Sequence, residues 1–181
     1  MSSTRPDSAA RQRLFFALWP DEAVRARLDQ AGGELLGKRV KRVPAANLHL
    51  TLAFAGAVTA PVRTCLQTAA GDIRCPAFSL SIEHVSHWPR PRIFWVGPSH
   101  VPPALWSLAG LLRAALEHCG LQTETRPYQP HITLARKIQR PPSVDRIAPL
   151  DWSIREFCLL ESVTGPRAAS YQLLGSWKLE G

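Results

Sequence analysis

The sequence predicts an α+β protein, in which strands and helices follow one another without the regular repeat of a parallel array. Three observations carry this. Strand-length apolar runs alternate irregularly with three helical segments, a short pattern around a histidine is written twice, and no low-complexity stretch divides the chain. The 181 residues read as a disordered polar tail over 1–12 and a single domain over 13–181, built as two related lobes in one unit.

The elements follow in order. "RLFFALWP" (13–20) is an apolar run ended by proline, the signature of a buried strand. Asp21 and Glu22 then suit the positive end of a helix dipole. Val24, Leu28, Ala31 and Leu35 recur at helical spacing until Gly37 stops the helix. A basic turn leads into a strand carrying "NLHLTLAFAG" (47–56), closed by Gly56. Thr59 opens a second helix through about Ala70, with Gly71 as its stop. "FSLSIEHV" (78–85) alternates with a period of two, so His84 extends the apolar face of Phe78, Leu80 and Ile82. "RIFWVG" (92–97) pairs with it across a proline-rich turn. "PPALWSLAGLLRAALEHCG" (102–120) starts on proline, aligns Leu105, Leu108 and Leu112, and ends at Gly120: a third helix. "QPHITLAR" (129–136) reads as a strand, and residues 155–163 and 171–179 as two more around a Gly-Pro turn.

Composition narrows the classes. Hydrophobic residues make up 45% and charged residues 20%, which fits a globular domain and excludes a disordered chain. No apolar run is long enough for a membrane helix, and the polar start lacks the apolar core of a signal peptide, so the expected setting is the cytoplasm. The formal net charge of +8 favours polyanionic partners, although the excess of Arg over Lys is also what a GC-rich genome produces. Cys65, Cys75, Cys119 and Cys158 lie far apart with no CxxC pair, so they are expected as reduced thiols, neither a zinc site nor a disulfide framework.

The repeated pattern carries the chemistry. His49-Leu-Thr51-Leu-Ala and His131-Ile-Thr133-Leu-Ala share more than nine threonines in the chain produce by accident. On a strand, residues two apart share a face about 6.6–6.8 Å apart. Each copy therefore sets an imidazole and a hydroxyl on one side, with aliphatic neighbours anchoring the other. Two imidazoles and two hydroxyls converging on a cleft suit a phosphodiester. One imidazole takes a proton from water, the other gives one to the leaving oxygen, and the hydroxyls hold the non-bridging oxygens. An ordinary imidazole pKa of about 6.5 permits both roles near neutral pH. His84 and His87 stand near no acidic cluster, and His100 and His118 have no polar company; no metal site is predicted.

With "RLFFALWP", the two His-x-Thr copies, "PRIFWVG", "RPYQPHITLAR" and "SYQLLGSWKL", the chain resembles the two-histidine phosphoesterases over nearly its whole length, and within them the RNA 2′,3′-cyclic phosphodiesterases, also called 2′-5′ RNA ligases. The resemblance implies a bilobal, pseudo-twofold fold of two β-sheets with outer helices and a central cleft carrying both motifs. It implies hydrolysis of a terminal 2′,3′-cyclic phosphate to a 2′-phosphate, with no metal and no cofactor. His49 would be the general acid, His131 the general base, and Thr51, Thr133 and Arg136 the phosphate ligands. A regular strand points Arg136 away from His131, so that role needs a bend. Phe54 and Tyr128 are candidates for stacking on a nucleobase. The implied partner is RNA with a 2′,3′-cyclic phosphate end, tRNA fragments or cyclic nucleotides, met by a monomer. The alternatives are 2′-5′ ligation of RNA halves and a catalytically silent RNA-binding module.

Overall fold

The computed structural model describes residues 11–165 and 169–181. Its elements are β1 (Gln12–Leu18), α1 (Glu22–Leu36), β2 (Leu50–Val58), α2 (Ala60–Gly71), β3 (Phe78–Trp88), β4 (Ile93–Pro98), α3 (Pro103–His118), β5 (Ile132–Arg136), β6 (Arg146–Ile154), β7 (Glu156–Thr164) and β8 (Ala169–Lys178), with a 3₁₀ turn at Ala45–Asn47. Most of the expected disordered tail, and Pro166 of the expected Gly-Pro turn, lie outside the described residues. Gln12 does not belong to a tail: it opens β1 opposite Val58, and its amide donates to Glu161 at 2.7 Å.

Local chemistry explains the helices. Asp21 caps α1 by accepting the Val24 N–H at 2.8 Å, and Gly37 ends it at φ 66°, where an L side chain is strained. Helix α3 begins at proline and buries Leu105, Leu108, Leu112 and Leu116 completely or nearly so.

The strands run in the order β6-β3-β4-β5-β2-β1-β7-β8 and every neighbouring pair is antiparallel. The two expected sheets are thus two four-stranded halves of one sheet. Leu50 opposite Ile132 is the one register pair between β2 and β5. Beyond it the segment before β2 lies along β5, where Arg42 bridges Ala135 and the Val43 N–H donates to the Leu134 carbonyl at 2.8 Å, and the cleft lies at this joint.

One face of the sheet is closed by the helices. Leu14, Phe16 and Leu18 of β1 and Leu50 and Leu52 of β2 join Leu28 of α1, Leu66 of α2 and the leucines of α3 in one large core. On the opposite face Phe15, Ala17, Cys158 and Leu160 form a small cluster with Trp19 and Tyr171 packed on it. Burial of β1 on both faces is why its sequence is continuously apolar.

Three expectations need correcting, and one strand is added to those expected. Gly56 does not close β2; it sits inside the strand at φ 72°, at an irregularity opposite Leu14. Strand β6 is an edge strand paired only with β3, and Pro149 within it obscured its pattern in the sequence. His84 does not continue the apolar face of β3. A bulge between Ile82 and His84 puts Val85 in the core and turns His84 towards Trp95, with ring centroids 5.4 Å apart. Finally, Cys65 on α2 and Cys119 at the end of α3 form a disulfide, with Cα atoms 5.9 Å apart; helix packing brings together residues 54 positions apart in sequence. Cys75 and Cys158 are buried free thiols, and burial pushes the Cys158 thiol up to about 11.

Candidate active site

Both motifs sit at the joint between the half-sheets. His49 and His131 each immediately precede their strand, and Thr51 and Thr133 are its second residue. The two strands continue alike. In β5 the register with β4 steps from Trp95–Thr133 to Phe94–Ala135, so Leu134 is an extra residue. In β2 the register with β1 steps from Ala17–Thr51 to Phe16–Ala53, so Leu52 is extra. A bulge consumes one position of the alternation, so the residue three beyond each threonine returns to the threonine's face. Those residues are Phe54 and Arg136, both on the cleft wall. The bulge at Leu134 is the bend that Arg136 required.

The cleft has a volume of about 240 Å³, and its walls include His49, Thr51, Phe54, His131, Thr133 and Arg136. Tyr128 is not among them. Its hydroxyl donates to the Thr51 carbonyl at 3.1 Å and its half-buried ring packs on Trp106 and the core, so it braces the first motif strand from outside the cleft lining.

The histidines are held alike. His49 Nδ1 lies 2.7 Å from the Asn47 carbonyl and His131 Nδ1 lies 2.8 Å from the Gln129 carbonyl, two residues upstream in each case. A carbonyl only accepts, so each Nδ1 carries the hydrogen and each neutral ring keeps a bare Nε2. At His49 the Thr51 hydroxyl, 3.1 Å away, donates to that Nε2.

Aromatic rings fix both imidazoles. Phe15 and Tyr171 lie 5.0 Å from His49 and Trp19 stacks at 5.8 Å, while Trp88 meets His131 edge-on at 4.5 Å. The enclosure has an electrostatic consequence. Burial lowers the His49 pKa to about 4, against the Asn47 hydrogen bond that raises it, and the positive fields of His131 and Arg136 lower it further. His131 is also lowered, chiefly by burial, with Arg136 adding to the effect. Both rings are therefore neutral at pH 7 in the free protein.

Sequence reasoning missed Arg13, Phe15, Asn47, Ser162 and Tyr171, which also line the cleft. Arg13 and Phe15 alternate on one face of β1, but the continuous apolar run hid that period. Ser162 and Tyr171 face each other across β7 and β8, which no local pattern announces. Gly97 supports the second motif from behind: a Cβ there would lie 2.7 Å from the Pro130 carbonyl, one residue before His131.

Among the described residues, no group of three His, Cys, Asp or Glu side chains could hold a metal ion, and no helix is long and apolar enough to cross a membrane.

A two-lobed antiparallel sheet with a histidine and a threonine from each lobe at one cleft is the arrangement of a two-histidine phosphoesterase. The sequence model of the 2′-5′ RNA ligase superfamily matches residues 19–166, and the chain belongs to that family. The Escherichia coli (strain K12) RNA 2′,3′-cyclic phosphodiesterase is 34% identical over 171 residues, covering 93% of this chain and 97% of its own length. A Thermus thermophilus protein of the same name is 31% identical, covering 93% of this chain and 91% of its own. The crystal structure of E. coli LigT in apo form superposes with a TM-score of 0.89 at 32% identity, over 96% of this chain and 100% of that one. E. coli LigT has also been crystallised with 3′-AMP; that structure matches with a TM-score of 0.85 at 33% identity, over 93% of this chain and 98% of that one.

Proposed function

We propose that the protein is an RNA 2′,3′-cyclic phosphodiesterase that hydrolyses a terminal 2′,3′-cyclic phosphate to a 2′-phosphate. The observation that carries this reading is the matched pair of Nδ1–carbonyl hydrogen bonds, which leaves one Nε2 from each lobe available at a single cleft. The names of the E. coli and T. thermophilus relatives support it.

In this reading His131 Nε2 takes a proton from water as the water oxygen bonds to phosphorus. His49 Nε2–H gives its proton to the 3′-oxygen as the P–O3′ bond breaks, leaving a 2′-phosphomonoester and a free 3′-hydroxyl. Proton exchange with solvent resets both rings. Thr51, Thr133 and Arg136 hold the non-bridging oxygens, where negative charge grows. Phe54, 68% exposed on the cleft rim, offers its ring to a base.

The low pKa of His49 gives the substrate a part in arming the acid. A bound phosphodiester anion favours the imidazolium, so His49 takes up a proton from solvent as the substrate binds. Protonation also reverses the bond to Thr51: Nε2 becomes a donor, and the threonine hydroxyl hydrogen is released towards the phosphate.

The same reading takes the enzyme as a monomer acting on RNA ends such as those of tRNA fragments and on cyclic nucleotides. An oligoribonucleotide ending in a 2′,3′-cyclic phosphate tests it, with phosphorus NMR of the product. A 2′-phosphate is expected. A 3′-phosphate would reverse the assigned roles of the two oxygens, and an intact cyclic end would end the proposal.

A further inference from the structure

A cluster of unexplained charge lies just outside the cleft, at the end of β5. The β3–β4 turn contributes Arg90 and Arg92, and the segment after β5 contributes Lys137 and Arg140. All four are exposed, none is in an ion pair among the described residues, and neither the turn (89–92) nor the segment 136–141 contains an acidic residue.

The two segments are locked together. Arg136 pairs with Ile93, and the Ile138 N–H donates to the Arg92 carbonyl at 3.1 Å. The Ile138 carbonyl accepts from His87 Nε2 at 3.0 Å, while its side chain joins the core. With Ile138 held by its N–H, its carbonyl and its side chain, the flanking cations are carried on a fixed backbone. Arg92 and Lys137 both adopt left-handed backbone, at φ 68° and 64°. That conformation is uncommon without glycine and persists only where surrounding contacts enforce it. A general solubilising charge needs none of this. The patch is continuous with Arg136, and so with the cleft.

We propose that this surface is a docking site for the RNA chain beyond its reacting end, with Arg90, Arg92, Lys137 and Arg140 taking successive backbone phosphates. The proposal rests on the phosphodiesterase reading for the identity of the polyanion and extends it: the enzyme selects oligonucleotides over nucleoside cyclic phosphates through ionic contacts outside the cleft. Arg13, on the other lobe's cleft wall, marks the competing path.

Binding and turnover are tested separately. Anisotropy of a fluorescent single-stranded RNA octamer ending in a 2′-phosphate reads docking without chemistry. The triple variant Arg90→Gln, Lys137→Gln, Arg140→Gln should weaken binding roughly 10–100-fold at low salt and reduce the slope of log affinity against log salt by about 2, since each single-strand phosphate contact contributes about 0.7. Its kcat/KM should fall by a similar factor on an octamer with a 2′,3′-cyclic phosphate end and stay unchanged on a nucleoside 2′,3′-cyclic phosphate, which also shows that the variant is folded. Equal loss on both substrates, an unchanged salt slope, or a slope change that follows Arg13→Gln instead would overturn the docking site. A wild-type protein that binds the octamer through these cations yet hydrolyses neither substrate would remove the phosphodiesterase reading and leave the docking surface standing.

Discussion

At the scale of residues, the site turns on two imidazoles whose environment suppresses their charge. His49→Ala or His131→Ala should each lower kcat by about 10²–10⁴-fold, the usual contribution of positioned acid–base groups. The double variant should lose less than the product of the two, since the residues act as a unit. In the proposed mechanism Thr51→Ala or Thr133→Ala removes a hydrogen bond to a charged oxygen, worth about 1.5–3 kcal/mol, or roughly 10–150-fold in kcat/KM. The pH profile is the sharper test. The proposed mechanism needs one proton on the pair, and in the free protein both pKa values lie below the usual 6.5, with His49 near 4. The bell in kcat/KM should therefore peak on the acid side of 6.5, with limbs that belong to the pair jointly. Exposed His118 is the suitable control; His84 is not, because it packs on Trp95, which in turn lies 6.0 Å from His131. An alkaline optimum for kcat/KM would contradict this account of the burial.

At the scale of elements, bulges and close packing aim the side chains. Without the extra Leu134, alternation would carry Arg136 to the helix side of the sheet, and without Leu52 it would do the same to Phe54. Gly97 is the point where β4 lies against the segment leading to His131. Gly97→Ala forces a methyl against the Pro130 carbonyl, so either β4 or the motif must shift. The expected cost is about 1–3 kcal/mol of stability, with kcat falling more than KM rises, because a small displacement of His131 acts on the transition state. Denaturant unfolding and steady-state kinetics measure the two effects, and Gly110→Ala, with open space at its Cβ, is the matched control.

At the scale of the whole molecule, the lobes share a short backbone joint along β5, one helix-covered core and one disulfide. The Cys65–Cys119 bridge closes a 54-residue separation. Chain entropy gives such a loop on the order of 4 kcal/mol, and measured native bridges typically contribute about 2–4 kcal/mol. Cys65→Ser with Cys119→Ser should lower unfolding stability by that amount, matching the effect of reductant on the unaltered chain; identical urea midpoints with and without reductant would show that the bridge is not formed. The histidines set a second global property. Above about pH 6.5 they are neutral both folded and unfolded, and contribute nothing to pH dependence. Between 6.5 and about 4 the unfolded chain takes up protons that buried His49 refuses, so stability falls as pH falls; His131 adds in the same direction. The urea midpoint should drop between pH 7 and pH 5, and by less in His49→Gln.

What the sequence determined by itself was whatever local order encodes. The two His-x-Thr copies, the period-two and helical patterns, the acidic start of α1 and its stop at Gly37, and the proline start of α3 were all readable, because each depends on neighbours within a few residues. What the tertiary structure decided depends on partners far along the chain. Cys65 meets Cys119 only when α2 packs on α3, and β6 exists as a strand only because β3 offers it an edge. Arg136 reaches the cleft only through a bulge fixed by pairing with β4, and Tyr128 braces Thr51 only because the two lobes meet there. The acid shift of the histidines belongs to the same class: an imidazole's pKa is set by the surface buried around it, and that surface is assembled from β1, β3, β4 and β8.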